Sequence, residues 1–222
     1  RAPGRGTLVP NFTGGCPAAG FELTTSRSLL LTCDLRWNAH ISYITSTALK
    51  RLFFIRRRLK IAPYKTKLLA YNTLIRSVLE YANVVWFPFT NQDVNKIEAV
   101  QRKAVRFIFN KYRTTDSPTE IMKRQGIKTL QTRAKIARLK LLYQLLHRHL
   151  KVDPAKYIAF SATRPTRNKH SNTLTENHFH TDCFKYSFFP SATREWNSLS
   201  SSITNLSSFT KFGTAVERYL TY

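Results

Sequence analysis

The sequence predicts an all-α protein, built as a bundle of amphipathic basic helices. Apolar side chains recur every three or four residues over several stretches, which is the spacing that lets a helix bury one face. Some of these stretches follow residues that typically cap a helix, and no stretch alternates apolar and polar residues convincingly, as a strand does. With 42% hydrophobic residues in a chain of 222, there is enough apolar surface for a packed core.

The first segment, residues 1–28, is predicted to be a disordered or aberrant leader. Five of the 7 glycines fall in it, together with Pro3, Pro10 and Pro17, and no apolar period is present. The chain opens at Arg1 rather than at a methionine and carries no signal sequence. We therefore expect it to be a piece of a longer protein.

A first helix is predicted from a single apolar stripe with spacings of three and four residues. That stripe consists of Ile41, Ile44, Ala48, Leu52, Ile55 and Leu59. A second helix is expected to have Pro63 in its first turn and to end near Pro88. Its core face would consist of Leu68, Tyr71, Ile75, Val78 and Leu79.

A capping box over residues 90–93, with Asp in place of the preferred Glu, predicts the start of a third helix that runs to about Asn110. It would bury Val94, Ile97, Ala104 and Ile108. A fourth, short helix is expected to begin after Ser117 and to end at Gly126. Ser117 is a capping residue, and Pro118 and Glu120 follow it in the first turn.

The fifth helix shows the clearest period and is expected to stop at Asp153-Pro154. Its stripe consists of Ile136, Leu139, Tyr143, Leu146 and Leu150. Residues 160–185 are polar and basic and predict a long exposed loop. Two short helices follow, one around Pro190–Leu199 and one with Phe209, Phe212, Val216 and Tyr219 on one side.

The charge is strongly one-sided, because 36 Lys and Arg oppose 12 Asp and Glu, a net charge of +24. Such an excess repels itself in a folded chain, and a polyanion is its natural partner. No acidic residue lies between Asp34 and Glu80 or between Ile121 and Val152. A merely solvated helix face normally mixes both signs, so we expect these helices to bind nucleic acid.

The cations expected to contact phosphates lie on three helices, and their expected role is electrostatic positioning rather than sequence readout. They are Lys50, Arg51, Arg56, Arg57, Arg58 and Lys60 on the first helix, then Lys103 and Arg106 on the third, and Lys135, Arg138 and Lys140 on the fifth.

Aromatic residues interleave with this charge. They are Phe53, Phe54, Trp86, Phe87, Phe89, Phe107, Phe109 and Tyr112. Such rings can stack on unpaired bases, but helical spacing favours places in the core. Trp86 and Trp196 are expected to anchor the packing, Glu80 and Glu98 to form local ion pairs on basic helices, and His40 to be structural.

The sequence predicts neither a catalytic centre nor a cofactor. Two-metal phosphoryl transfer needs carboxylates gathered around the ions, and no two acidic residues are adjacent in this chain. His178, His180 and Cys183, with His170 upstream, form a poor zinc site because no second cysteine pair accompanies them. Three widely spaced cysteines indicate a reducing, intracellular setting rather than a disulfide framework. No apolar run is long enough to span a membrane.

Four stretches together carry a family resemblance. They read LRWNAHI at 35–41, LEYANVVWFP at 79–88, IEAVQRKAVRF at 97–107 and YSFFPSATREWNSL at 186–199. In this order and spacing they resemble the C-terminal part of the reverse transcriptase of non-LTR (LINE-like) retrotransposons, in the jockey-type branch common in arthropods. Ser191 stands where that family usually has Arg, and Ser200 where it often has Pro.

The resemblance implies a thumb-like helical region over 29–113 and a post-thumb region over 114–222. In such polymerases the thumb helices lie against the RNA and DNA of the template–primer duplex. The palm, with its catalytic aspartates and Mg²⁺, would lie upstream of this chain, so the piece itself would not polymerise. The parent protein would act inside the cell, in the nucleus.

Residues 1–28 do not match that family, and a frameshift, a splice error or a decayed copy would explain them. Two alternatives therefore stay open: an inactive transposon remnant without a function, and a free-standing basic helical nucleic-acid-binding protein. The reading frame upstream of Arg1 separates the three hypotheses. An intact palm supports the polymerase fragment, stop codons the remnant, and a methionine with a promoter the free-standing protein.

Overall fold

A computed structural model describes residues 29–32, 37–161, 172–176 and 178–221. This part of the chain is mainly helical, which confirms the predicted all-α class. In chain order the helices are α1 (Asn38–Arg58), α2 (Tyr64–Ala70), α3 (Ser77–Leu79), α4 (Asn83–Trp86), α5 (Asn91–Ile108), α6 (Pro118–Arg124), α7 (Leu130–Leu146), α8 (Asp182–Lys185), α9 (Phe188–Asn197), α10 (Ser201–Thr204) and α11 (Phe209–Tyr219). A π-helical segment, Tyr71–Arg76, joins α2 to α3, and Pro154–Lys156 form a 3₁₀ turn. The predicted leader lies outside the described residues.

Helix α1 confirms its predicted stripe. Ile41, Ile44, Ala48, Leu52 and Ile55 are all buried. Leu59 is half-buried and follows the last helical residue, where its N–H bonds the carbonyl of Ile55 at 2.7 Å. Three arginines occupy the last turn, where positive charge complements the partial negative charge of a helix C-terminus.

The predicted second helix is interrupted, and Pro63 precedes it instead of lying in its first turn. The helix ends at Leu79, because Ala82 adopts a left-handed conformation with φ 50°. The break lets Trp86 enter the core, where it is fully buried and its Nε1 donates to the carbonyl of Tyr81 at 2.7 Å. Tyr71 and Leu79 are buried as predicted.

Helix α5 begins at the predicted cap, where the Thr90 hydroxyl accepts the N–H of Asp93 at 3.3 Å. The four apolar residues predicted for its core face are buried. Helix α7 begins at a cap that the sequence reading missed, since the Thr129 hydroxyl accepts the N–H of Thr132 at 3.1 Å. It ends at Leu146 rather than at Asp153, because Arg148 turns left-handed with φ 54°.

Two hydrophobic cores meet within α7. The first packs α1 to α5 around buried Trp86 and includes Leu130, the first residue of α7. The second packs later turns of α7 against α9 and α11 around Trp196, which is 2% exposed. Both tryptophans are therefore packing anchors, as predicted. The predicted boundary after residue 113 stays a prediction, and α7 belongs to both cores.

The described part of the predicted loop 160–185 includes a buried segment. Thr173 and Leu174 are buried, and Leu174 exchanges two hydrogen bonds of 2.9 Å with the side-chain amide of Asn197. A single antiparallel bridge joins Phe160 to Leu174. The prediction of an exposed loop is therefore wrong at 173–174, because Asn197 supplies the polar partner that this backbone needs when it is buried. It is also wrong at Asp182–Lys185, which form the short helix α8 after a cap at Thr181.

The last two predicted helices are confirmed as α9 and α11, with α9 beginning two residues earlier than expected. Phe212 and Val216 are buried on α11, whereas Tyr219 is 47% exposed. Within the ranges that the structure describes, no helix combines the length and the apolar content needed to cross a bilayer.

Truncation of Leu139 tests the second core. Leu139 is 1% exposed in that core, so Leu139→Ala is expected to lower the free energy of unfolding by about 2–5 kcal/mol. Leu69→Ala is the matched control, because Leu69 lies on a helix and is 63% exposed, and it should change stability by less than about 0.5 kcal/mol. Urea denaturation followed by circular dichroism measures both, and equal effects would contradict the packing described.

Candidate nucleic-acid interface

The C-terminal half of α1 and the residues after it present an exposed basic surface, which we call the α1 basic face. It consists of Lys50, Arg51, Arg56, Arg57, Arg58 and Lys60, all of them exposed. The helix period explains the exposure of the five cations on α1, since each lies off the stripe that faces the core, and Lys60 follows the helix. No carboxylate of the described residues forms a salt bridge with any of them.

Three of these arginines are held in place by neutral partners. The Arg51 guanidinium donates to the carbonyl of Leu74 at 3.0 Å. The guanidinium of Arg56 lies 5.3 Å from the ring centre of Tyr112, and that of Arg58 lies 5.8 Å from the ring centre of Phe54. Such contacts orient a cation without neutralising it, so the α1 basic face keeps its charge.

Aromatic rings lie exposed on and beside this surface, contrary to the prediction that they belong to the core. Phe53, Phe54 and Tyr112 are each at least 50% exposed, and so is Phe89 elsewhere in the fold. Because successive residues turn about 100° around a helix axis, the two residues between buried Leu52 and Ile55 must point away from the core. Trp86 and Phe107 are buried as predicted, and Phe87 and Phe109 are half-buried.

The two cations predicted on α5 have different surroundings. Lys103 is exposed. Arg106 is half-buried, and its Nε is buried with no hydrogen-bond partner among the described residues. Lys103 is therefore accessible to a ligand, whereas Arg106 is largely enclosed by its own helix and neighbours.

Two of the three cations predicted on α7 are engaged within the chain. Arg138 forms two hydrogen bonds to the carboxylate of Glu195, one of them from Nε at 3.1 Å. Lys140 pairs with Glu217 at 2.7 Å. These contacts give Arg138 and Lys140 a structural task, and their expected phosphate contacts stay predictions. Lys135 is half-buried and forms no salt bridge with any described carboxylate.

Glu217 links two lysines of different segments, because its second oxygen accepts from Lys128 Nζ at 2.9 Å. The hydrogen bonds from Lys140 and Lys128 lower the pKa of its carboxyl from the ordinary 4.5 to about 2. This three-residue contact ties α11 to α7 and to the turn before α7.

The predicted local ion pairs of Glu80 and Glu98 are only half confirmed. Glu80 lies 3.7 Å from Arg76, four residues earlier, but it also binds Arg133 of α7, with a second contact of 3.0 Å from Nη2 to Oε2. Glu98 accepts the backbone N–H of Gln131 at 3.0 Å and so caps the start of α7. Burial raises the pKa of Glu98, against the opposing effect of the backbone N–H groups of Gln131 and Leu130.

His40 is structural, as predicted. It is buried, accepts the backbone N–H of Leu30 at 3.3 Å, and packs edge-on against Trp86 at 5.0 Å between ring centres. Burial lowers the pKa of its imidazole, so the neutral form is favoured.

The residues weighed for zinc include Cys183, which is exposed. In the described stretches, no three His, Cys, Asp or Glu side chains are placed so that they could hold a metal ion. His170 lies outside those stretches.

Comparison of the chain with models of known families, with curated proteins and with solved structures gave no match. The interpretation of the α1 basic face therefore rests on its residues and their surroundings.

The Glu217 contact predicts a pH-dependent contribution to stability. A carboxyl whose pKa is lower in the folded state than in the unfolded chain stabilises the fold above the unfolded pKa and loses that effect as the pH falls toward the folded value. We expect Glu217→Gln to be destabilising at pH 7, by less than about 1 kcal/mol because the pair is partly exposed. The difference from the parent protein should shrink between pH 4.5 and about 2. Urea titrations at pH 7, 4 and 3 check this, and a constant difference would contradict it.

Arg138 and Lys135 offer a matched pair three residues apart on α7. Because Arg138 is only 12% exposed beside Glu195, Arg138→Ala leaves a carboxylate unpaired and should cost about 2 kcal/mol of unfolding free energy. Lys135→Ala should cost less than about 0.5 kcal/mol, since no ion pair is lost. Thermal and urea denaturation give both values, and a larger loss for Lys135→Ala would refute the assignment.

Proposed function

We propose that this chain is a non-catalytic, nucleic-acid-binding region, the thumb and post-thumb part of a non-LTR retrotransposon reverse transcriptase. In this proposal the α1 basic face contacts the sugar–phosphate backbone of the template–primer duplex. The observation that carries the proposal is that six exposed cations follow one another along α1 and just beyond it with no described carboxylate paired to them.

The distribution of ion pairs supports this assignment. Glu80, Glu195 and Glu217 are each bound by cations of α7 or of the turn before it. The cations of α1 receive no such partner. Cations packed this closely on one helix repel each other, and phosphates of a nucleic acid would remove that repulsion while releasing their own counterions.

The side chains of this surface favour backbone contacts over base readout. Arg56 and Arg58 keep exposed guanidinium groups above rings, a geometry that leaves their N–H groups free to meet phosphate oxygens. Exposed Phe53 and Phe54 add apolar surface beside the charge. Arginine and lysine bound to phosphates fix the register of a protein on a duplex without reading its sequence.

The proposal assigns the chemistry to a palm region upstream in the parent chain, together with the Mg²⁺ that such a palm uses. The pairing of the glutamates supports this division, since Glu80, Glu195 and Glu217 belong to separate ion pairs that join helices. The partners would then be the RNA and DNA strands and the polymerase palm, and the place of action the nucleus.

Removal of three charges from the α1 basic face tests the proposal. The variant with Arg56, Arg57 and Arg58 replaced by Ala should bind a 20-base-pair RNA–DNA duplex more weakly than the parent protein. The magnitude of its slope of log affinity against log salt should be lower by about two to three. Filter binding between 50 and 200 mM salt measures the slope.

The matched control removes the same charge from exposed sites elsewhere, with Lys123, Lys156 and Lys211 replaced by Ala. This variant should keep a slope within about one of the parent value. An unchanged slope in the arginine variant, or equal losses in both variants, would overturn the assignment of the duplex to α1.

A further inference from the structure

A second candidate surface is a cleft of about 320 Å³ at the junction of the two cores. Its walls come from the segment between α4 and α5, from α7, and from α9 with Tyr186 before it and Ser198 after it. Its lining includes Phe89, Gln131, Lys135, Tyr186, Ser191 and Arg194. The proposed duplex contact on α1 uses none of these side chains, although Lys135 of α7 is also among the cations predicted from the sequence to contact phosphates.

An ordered column of rings forms one wall of this cleft. Phe89 and Tyr186 stack with ring centres 3.9 Å apart and planes inclined by 4°. Lys185 Nζ lies 5.2 Å and the Arg194 guanidinium 5.7 Å from the centre of the Tyr186 ring. Phe89 is still 53% exposed although Tyr186 packs against it. The column therefore ends in an apolar ring that is fixed in place and open to solvent.

The charge inside the cleft is positive. Its carboxylate, Glu195, is bound by Arg138. Lys135 and Arg194 form no salt bridge with any carboxylate that the structure describes. Arg194 is fixed by donation to the carbonyls of Lys185 at 2.9 Å and of Pro190 at 3.3 Å, so its charge stays at the wall.

The lining also offers groups that can bond the edge of a planar ligand. Gln131 has an exposed amide, which is both a donor and an acceptor, and the Ser191 hydroxyl lies on the same cleft. The cleft thus combines an apolar ring face, an amide with a hydroxyl, and an ammonium group. These groups correspond to the three parts of a nucleotide: base, base edge and phosphate.

We propose that this cleft binds one unpaired nucleotide of a nucleic-acid strand, with its base stacked on Phe89 and its phosphate near Lys135. The volume lies at the low end for small-ligand sites, which suits one nucleotide and excludes a duplex. A base inside a duplex has no free face to stack, so the strand must be single at this point. This inference rests on the proposed function, because the chain would then bind a nucleic acid at the junction between its duplex and its single strand.

An acidic peptide would be attracted by the same charge. It would leave the Phe89 ring unused, because a carboxylate gains nothing from an apolar face. The stacked ring column therefore favours a nucleotide, and the contribution of Phe89 distinguishes the two.

The test compares three RNA–DNA substrates with the same 20 base pairs: a blunt duplex, a duplex with a four-nucleotide overhang, and one whose overhang has phosphates and sugars but no bases. Fluorescence anisotropy gives the affinity of each. The parent protein should bind the normal overhang about tenfold more tightly than the base-free overhang, since a base stacked on an aromatic side chain contributes about that factor. Phe89→Leu should bring this ratio close to one, and Phe89→Trp should keep it.

Controls separate this inference from the proposed duplex contact. The variant with Arg56, Arg57 and Arg58 replaced by Ala should bind every substrate more weakly and leave the ratio unchanged. Lys135→Gln should lower affinity for both overhangs by a similar factor. The melting temperature of Phe89→Leu should stay within a few degrees of the parent value.

A ratio near one in the parent protein, or a ratio that Phe89→Leu leaves unchanged, overturns the nucleotide site while the duplex contact stands. Sensitivity to Lys135→Gln alone also overturns it, since that pattern indicates an anion site without stacking. If the parent binds none of the three substrates, the proposed function fails as well.

Discussion

A few carboxylates attach α7 to the rest of the molecule. Glu98 caps the start of α7, Glu80 binds its Arg133, and Glu195 and Glu217 bind Arg138 and Lys140. Because α7 contributes side chains to both hydrophobic cores, these contacts lie where the two cores meet. In a chain with only 12 acidic residues, this use leaves little negative charge for other surfaces.

That shortage explains the contrast between helices that look alike in sequence. Cations on α7 are partly buried against glutamates from α9 and α11, where ion pairs and packing support each other. Cations on α1 lie on a face that meets water, and burial of the opposite stripe fixes them there. Repulsion among them is an electrostatic cost to the folded protein, and a polyanion is the ligand class that relieves it.

Much of this fold can be predicted from periodicity and capping chemistry. The stripe of α1, the cap at Thr90 and the buried face of α5 are local patterns, and all are confirmed. The positions where the helices are interrupted are not determined by local sequence patterns. Ala82 and Arg148 have left-handed backbones but are not glycines, so the sequence does not indicate that a helix ends near them. The left-handed conformation of Ala82 is explained by the burial of Trp86. Burial of Leu174 depends on Asn197, which lies 23 residues away, so composition alone predicted an exposed loop.

The candidate sites depend even more than the fold does on contacts between residues that are distant in the sequence. Sequence marks both Arg57 and Arg138 as cations on basic helices, yet only tertiary structure places Glu195, 57 residues away, against Arg138. The rings follow the same logic, because a position off the apolar stripe exposes Phe53 and Phe54 whatever their hydrophobicity. Phe89 and Tyr186 lie 97 positions apart in the sequence, and only the tertiary structure stacks their rings. The cleft that we propose to bind a nucleotide is lined by Arg138 and Glu195, which form one of these ion pairs, so its wall includes a contact that the sequence does not predict.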